Sequence, residues 1–241
     1  MDLPAVQLPD LTQLPLPQLQ AMQRAGEEAL VCTDALERGG LNVVGEMLRG
    51  QGTFYEFNHY PANDVLDSRC GSQYYYHAHR GETGEHGHFH TFFRTPYLAS
   101  MMGQADAQLC DMASAKSNTV HLIAISMDRD GHMLGLFSTN QWVTAEHYVP
   151  ADKVLPHLGN FAIQHANPSW PTNRWITAVM RLFGPEIAAL LSHRDACFEA
   201  WRAAHPGEDV FDHRPLEVPG EIKLTVPEQI ARVDAALAAA N

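Results

Sequence analysis

Alternating stretches of helical and strand-like periodicity divide the chain into a central sheet region and helical ends. In several segments apolar residues recur every three or four positions, a spacing that places them on one side of a helix. These predicted helices span residues 17–37, 41–48, 151–165, 172–183, 185–204 and 227–240. Aromatic or apolar runs bounded by turn-forming residues predict strands at 53–60, 120–127, 132–137 and 140–148.

This order of elements predicts an α+β fold in a single domain covering residues 1–241. A mainly antiparallel sheet or barrel-like core would occupy about residues 53–149, with N-terminal and C-terminal helices packed on it. The flanking parts are an extended proline-containing arm at 1–17, helical regions at 18–50 and 151–204, and an extended tail with a final helix at 208–241.

The most informative stretch is residues 74–94, which reads YYYHAHRGETGEHGHFHTFFR. It holds five of the fourteen histidines in two alternating groups, His77 and His79, then His86, His88 and His90. Because alternate side chains of a strand share a face, each group lies on one side of its own strand. The intervening glycines and carboxylates are typical of a turn, so the stretch predicts a β-hairpin.

The register of this hairpin decides whether the two histidine groups meet. If His79 pairs with His86, antiparallel geometry places His77 opposite His88, with Cβ atoms about 4.5–5.5 Å apart. Imidazole nitrogens from both strands could then bind one ion at about 2.0–2.1 Å. The rise of about 3.3 Å per residue keeps all five from one ion, so three or four ligands are expected. The alternatives are a solvated polar face and a metal-free catalytic or haem-facing cluster.

Composition and charge narrow the possible partners and compartments. The chain is 45% hydrophobic and 18% charged, as in ordinary folded proteins, and its formal net charge of −12 argues against nucleic-acid binding. No apolar run of about eighteen residues predicts a membrane span, and the N-terminus lacks a signal-peptide pattern. The four cysteines are scattered singly, which favours reduced thiols and a cytoplasmic location.

Residues near the histidines supply candidate catalytic groups. Glu85 could bind the metal or act as a general base, and Tyr75, on the predicted histidine face, could donate a hydrogen bond to a substrate. Arg94 could hold an anionic group. His121, at the start of a neighbouring buried strand, is a further candidate, whereas Glu146 and His59 are expected to lie outside the site.

Two resemblances accompany these motifs. Residues 71–79, with a glycine followed after five residues by His-x-His, resemble the opening of the cupin motif, although Glu82 and Glu85 flank the usual glutamate position and a second cupin motif is missing. Over most of its length the chain resembles an uncharacterised bacterial family of unknown function. The blocks YYYHAHR, EHGHFHTFFR, GLFSTNQWVTAE and PSWPTNRW carry this resemblance, which implies no activity.

The sequence therefore favours a metal-dependent enzyme with a histidine-rich non-haem site that acts on a small molecule, as an oxidoreductase or a lyase. Histidine ligands suit iron, copper, zinc, nickel or manganese, and the pattern does not choose among them. The alternatives are a non-catalytic metal protein for storage, delivery or sensing, and a haem-binding protein. Neither a nucleic acid nor a membrane is an expected partner, and a homo-oligomer is compatible with the sequence.

Overall fold

An open six-stranded antiparallel sheet forms the centre of the molecule in the computed structural model, which describes residues 5–81, 84–103, 106–110 and 117–240. The strands follow one another in chain order across the sheet, each antiparallel to the next. They are β1 (Tyr60–Asp67), β2 (Ser72–His77), β3 (Gly87–Arg94), β4 (Thr119–Met127), β5 (Met133–Ser138) and β6 (Gly220–Ile222). The α+β class is confirmed, and the barrel alternative does not apply because the described sheet is not closed.

Along the chain, helices lie before β1, between β3 and β4, between β5 and β6, and after β6. They are α1 (Leu16–Arg38), α2 (Val43–Leu48), α3 (Thr95–Met102), α4 (Gln141–Thr144), α5 (Ala151–Val154), α6 (Trp170–Leu182), α7 (Gly184–Ala204) and α8 (Val226–Ala239). Short 3-10 turns cover Leu11–Gln13, Ala107–Cys110, Leu155–Asn160 and Val210–Asp212. The predicted arm at 1–17 is extended only in part, and its first four residues lie outside the described ranges.

The two faces of the sheet have different chemistry. On one face Tyr74 donates a hydrogen bond to Asn173 of α6 at 2.6 Å, and Phe89 packs against Trp175 of the same helix. The opposite face carries the alternating histidines of β2 and β3, and it is covered by the segments at 53–59 and 140–148. Strand alternation thus separates an apolar packing surface from a buried polar one.

Three predicted elements differ from the structure. Residues 53–59 form a loop rather than a strand, and Tyr60 enters the sheet as the first residue of β1. From this loop Phe57 stacks on His79 and His59 stacks on Tyr75. Residues 140–148 form α4 and a turn with Ala145 in the left-handed region, not a strand. The helix predicted at 151–165 ends at Asn160, after α5 continues as a 3-10 turn with Pro156 near its start.

Each single helix of the described residues is too short or too polar to cross a bilayer. The consecutive helices α6 and α7, bent by 69° at their junction, meet the length and composition requirement only as a pair.

Candidate metal centre

Three buried histidines from the central hairpin form the candidate site. The predicted register is observed, since His77 pairs with His88 and Tyr75 pairs with His90. One ring nitrogen from each of His77, His88 and His90, hereafter the histidine triad, lies within 4.8 Å of the others. The Nε2 atoms of His77 and His88 are 2.9 Å apart, a separation suited to two ligands of one ion at about 2.0–2.1 Å.

Glu85 fixes the orientation of the His88 ring. Its carboxylate accepts a hydrogen bond from His88 Nδ1 at 2.5 Å, and its other oxygen accepts one from the Ser126 hydroxyl at 2.5 Å. Burial raises the pKa of Glu85, while Ser126 and the guanidinium of Arg80 oppose that shift. A carboxylate on Nδ1 leaves His88 Nε2 as the nitrogen with a lone pair for a metal, the arrangement found behind many metal-bound histidines.

His121 performs the same task for His90. Its Nε2 lies 2.9 Å from His90 Nδ1, and its Nδ1 lies 3.1 Å from the Thr139 hydroxyl and 4.0 Å from a Glu146 carboxylate oxygen. A β-bulge brings His121 to this face, because Thr91 pairs with Ile123 but the next residue of β3 pairs with His121. Because His121 engages Nδ1 of His90, the Nε2 atom on the other side of the His90 ring remains for an ion.

The protonation and hydrogen bonding of the triad suit metal ligands. Burial lowers the pKa of His77 to about 2 and pushes those of His88 and His90 well below the usual histidine range, so all three rings are neutral. Within the described residues, the buried His77 Nδ1 and His90 Nε2 lack a hydrogen-bond partner. Such orphaned nitrogens cost about 1–3 kcal/mol each, which an ion on His90 Nε2 would offset.

Two histidines of the predicted site lie outside the triad. The His79 ring adjoins it, with centroids 5.0 Å from His77 and 5.1 Å from His88. His86 turns to the other face, where its Nδ1 is 2.7 Å from the Tyr76 hydroxyl and its ring stacks on Phe54. His86 precedes the first residue of β3, so strand alternation does not fix the direction of its side chain.

The predicted catalytic residues occupy different places. Glu85 is beside the triad, and the Tyr75 ring lies 5.4 Å from His77 and 5.2 Å from His90, with the pKa of its hydroxyl raised by burial. Arg94 is four residues along β3 from His90, about 13 Å away, and donates to the Gln73 side-chain oxygen at 3.2 Å. Arg94 therefore holds a neighbouring amide rather than a group at the triad.

Some residues at the site were not expected from the sequence. Glu146 is 3% exposed beside His121, and burial raises its pKa to about 8. Ser126 of β4 donates a hydrogen bond to Glu85. It lies two residues after Ala124, which pairs with His90, so strand alternation indicated that Ser126 shares the histidine face. His59 stacks on Tyr75 with ring centroids 3.6 Å apart, although it belongs to no strand.

Fold and site together define an α+β protein with a buried histidine triad that could hold a metal ion. The model of a domain of unknown function, DUF6969, matches residues 23–224, and the chain belongs to that family. This agrees with the resemblance to an uncharacterised family seen in the sequence. No curated protein and no solved structure matches the chain.

Proposed function

We propose that this protein is a metal-dependent enzyme in which the histidine triad holds one transition-metal ion and a small molecule reacts beside it. The observation that carries the proposal is the shared orientation of the rings. Glu85 engages Nδ1 of His88, and His121 engages Nδ1 of His90, so both Nε2 atoms remain for an ion. Packing alone does not require that Glu85 and His121 each hold a histidine ring in the tautomer that binds metal through Nε2.

Three protein ligands favour catalysis over storage. Catalytic metal sites commonly use three protein ligands and keep a further position for water or substrate, whereas structural sites are filled by the protein. A bound ion would supply Lewis acidity or a redox couple, which fits an oxidoreductase or a lyase. The chain would contribute neutral nitrogen ligands, an apolar surround that includes Phe137, and a positioned carboxylate at Glu85.

A second candidate function rests on His79. Its ring lies within 5.1 Å of two triad rings, so rotation of this half-buried side chain could add a fourth nitrogen ligand. Four histidines would complete a tetrahedral shell and make the protein a non-catalytic metal carrier or sensor. The number of open coordination positions therefore separates the two functions.

Metal analysis of protein purified without a histidine tag tests metal binding. We expect one ion per chain, lost in His88→Ala and retained in the matched control His86→Ala, because His86 belongs to the same hairpin but faces the other side. The Co²⁺ form then reports coordination. A visible spectrum that changes on adding azide would indicate an open position, and an unresponsive four-nitrogen spectrum abolished in His79→Ala would favour the carrier. Equal metal content in all variants would refute both.

A further inference from the structure

A cavity of about 540 Å³ is lined by the loop that covers the histidine face. Its wall comes from residues 51–62 and combines aromatic rings with amide and hydroxyl groups. The principal lining residues are Gln51, Thr53, Tyr55, Phe57, Asn58 and His59. Among the residues that the structure describes, carboxylate, lysine and arginine side chains do not contribute to this wall. The lining therefore suits a ligand that has an apolar face, hydrogen-bonding groups and no net charge.

Two stacked pairs connect this cavity with the triad. Phe57 stacks on His79 with ring centroids 5.6 Å apart, and His79 is 5.0 Å from His77. His59 stacks on Tyr75, and its ring is also 6.0 Å from that of His77. Between a molecule in the cavity and His77 lie the Phe57 and His79 rings on one path and the His59 ring on the other. The cavity thus adjoins the proposed metal centre.

The aromatic rings of the wall are presented to solvent at an energetic cost. Tyr55 is 60% exposed and Phe57 is 69% exposed, although burying such rings would stabilise the fold. Phe57 also has φ of 65°, a left-handed conformation that is unfavourable for a bulky residue and is often associated with function. The Tyr60 hydroxyl accepts a hydrogen bond from the Tyr55 amide at 2.7 Å, which ties the loop to β1.

A polar group is held at the inner end of the same wall. His59 Nδ1 is 2.9 Å from an Asp64 carboxylate oxygen, and the other oxygen of Asp64 accepts from the Gln73 amide at 2.7 Å. The hydrogen bond to Asp64 engages Nδ1 of His59 and leaves its Nε2 for a ligand. Two exposed rings and one oriented imidazole are suited to a planar ring that carries a hydrogen-bonding substituent.

We propose that this cavity binds an uncharged aromatic small molecule and presents it to the metal centre, as the substrate subsite of the proposed enzyme. The assignment of the bound molecule as substrate rests on the proposed function, whereas its binding does not require a metal. The ring would stack against Phe57 and Tyr55, and its polar substituent would face His59 or the amides of Gln51 and Asn58.

Ligand-observed NMR titration with benzamide tests the subsite on metal-free protein. We expect Phe57→Asn and Tyr55→Ala each to weaken benzamide binding by about tenfold, because each removes one stacking ring. Asparagine tolerates positive φ, so that change removes the ring without straining the loop. Trp170→Ala, which removes an exposed ring elsewhere, is the matched control and should leave the affinity unchanged. Benzoate and cyclohexanecarboxamide should bind more weakly than benzamide.

Loading Co²⁺ tests the link between subsite and metal. We expect paramagnetic broadening of the benzamide resonances in the wild-type protein and its loss in His88→Ala. Absence of benzamide binding, unchanged affinity in both ring variants, or binding without broadening in Co²⁺-loaded protein would overturn the proposal. If the triad takes up no metal but ring-dependent binding persists, the enzyme proposal fails while the aromatic site stands, so the two failures are distinguishable.

Discussion

Replacing Glu85 by glutamine isolates the contribution of the carboxylate behind His88. The glutamine side chain has nearly the same volume as glutamate. It lacks the negative charge of the carboxylate that accepts the hydrogen bond from His88 Nδ1 at 2.5 Å. That side chain is 2% exposed, so solvent does not screen the interaction. We expect the variant to remain folded and to bind metal more weakly, because His88 Nε2 becomes a poorer ligand and its ring loses a fixed orientation.

The magnitude of this loss follows from the hydrogen bond itself. A hydrogen bond to a charged group contributes about 1.5–3 kcal/mol, and each 1.4 kcal/mol changes an affinity by about tenfold. Glu85→Gln should therefore raise the dissociation constant of the metal by about 10- to 100-fold, the usual effect of removing such a partner. Competition between the protein and a chromophoric chelator at neutral pH measures this constant directly.

Glu221→Gln provides the matched control for that experiment. Arg80 lies 3.7 Å from carboxylate oxygens of both Glu85 and Glu221, but the Glu221 side chain is 37% exposed and does not contact the triad. Its replacement should change metal affinity by less than about twofold, as for other exposed ion pairs. If Glu85→Gln also stayed within that range while His88→Ala lost the metal, orientation of His88 by Glu85 would be refuted.

Two further predictions concern the other buried groups. His121→Phe should weaken metal binding by about tenfold, because His90 loses the partner of its Nδ1. Replacement of the exposed His132 is the control and should leave metal affinity unchanged. Competition with a chelator measures both affinities. Metal-free protein should lose stability as pH falls below about 6.5, where the unfolded chain takes up protons that buried rings such as His77, with its pKa lowered to about 2, do not accept. Each such histidine costs about 1.4 kcal/mol between about pH 7.5 and 5.5, partly offset by Glu146, whose pKa is raised to about 8. Denaturant unfolding at these two pH values measures the difference, and equal stabilities would contradict it.

The triad could be predicted because strand periodicity and a short turn fix the register of a hairpin. Alternation placed His77, His88 and His90 on one side of their strands, and the observed pairing of His77 with His88 confirms the predicted register. The same rule does not extend to His86 and His79, which lie beyond the strand ends, where the backbone no longer alternates.

The partners of the triad were harder to predict because they depend on tertiary contacts. Strict alternation in β4 places His121 with Ile123 and Ile125 on the helix-covered side, and only the bulge at Leu122 turns it toward His90. The aromatic residues of 53–59 favour a strand by propensity, but propensity describes fit to a half-buried surface rather than a backbone preference. Here Phe57 and His59 stack on His79 and Tyr75 from a loop instead. Glu146 is buried by the turn after α4.

The placement of so many imidazoles in a dry interior is itself an argument for a ligand. Helix α6 packs on the opposite face of the same strands, so apolar side chains in place of the histidines would extend the core at no desolvation cost. Instead the chain buries the triad and holds His88 and His90 with Glu85 and His121, which themselves must be desolvated. In the metal-free state, buried histidine nitrogens without hydrogen-bond partners add to this desolvation cost, and an ion bound by the triad would offset it. The face is therefore suited to a metal ion, and we expect its stability to depend on one.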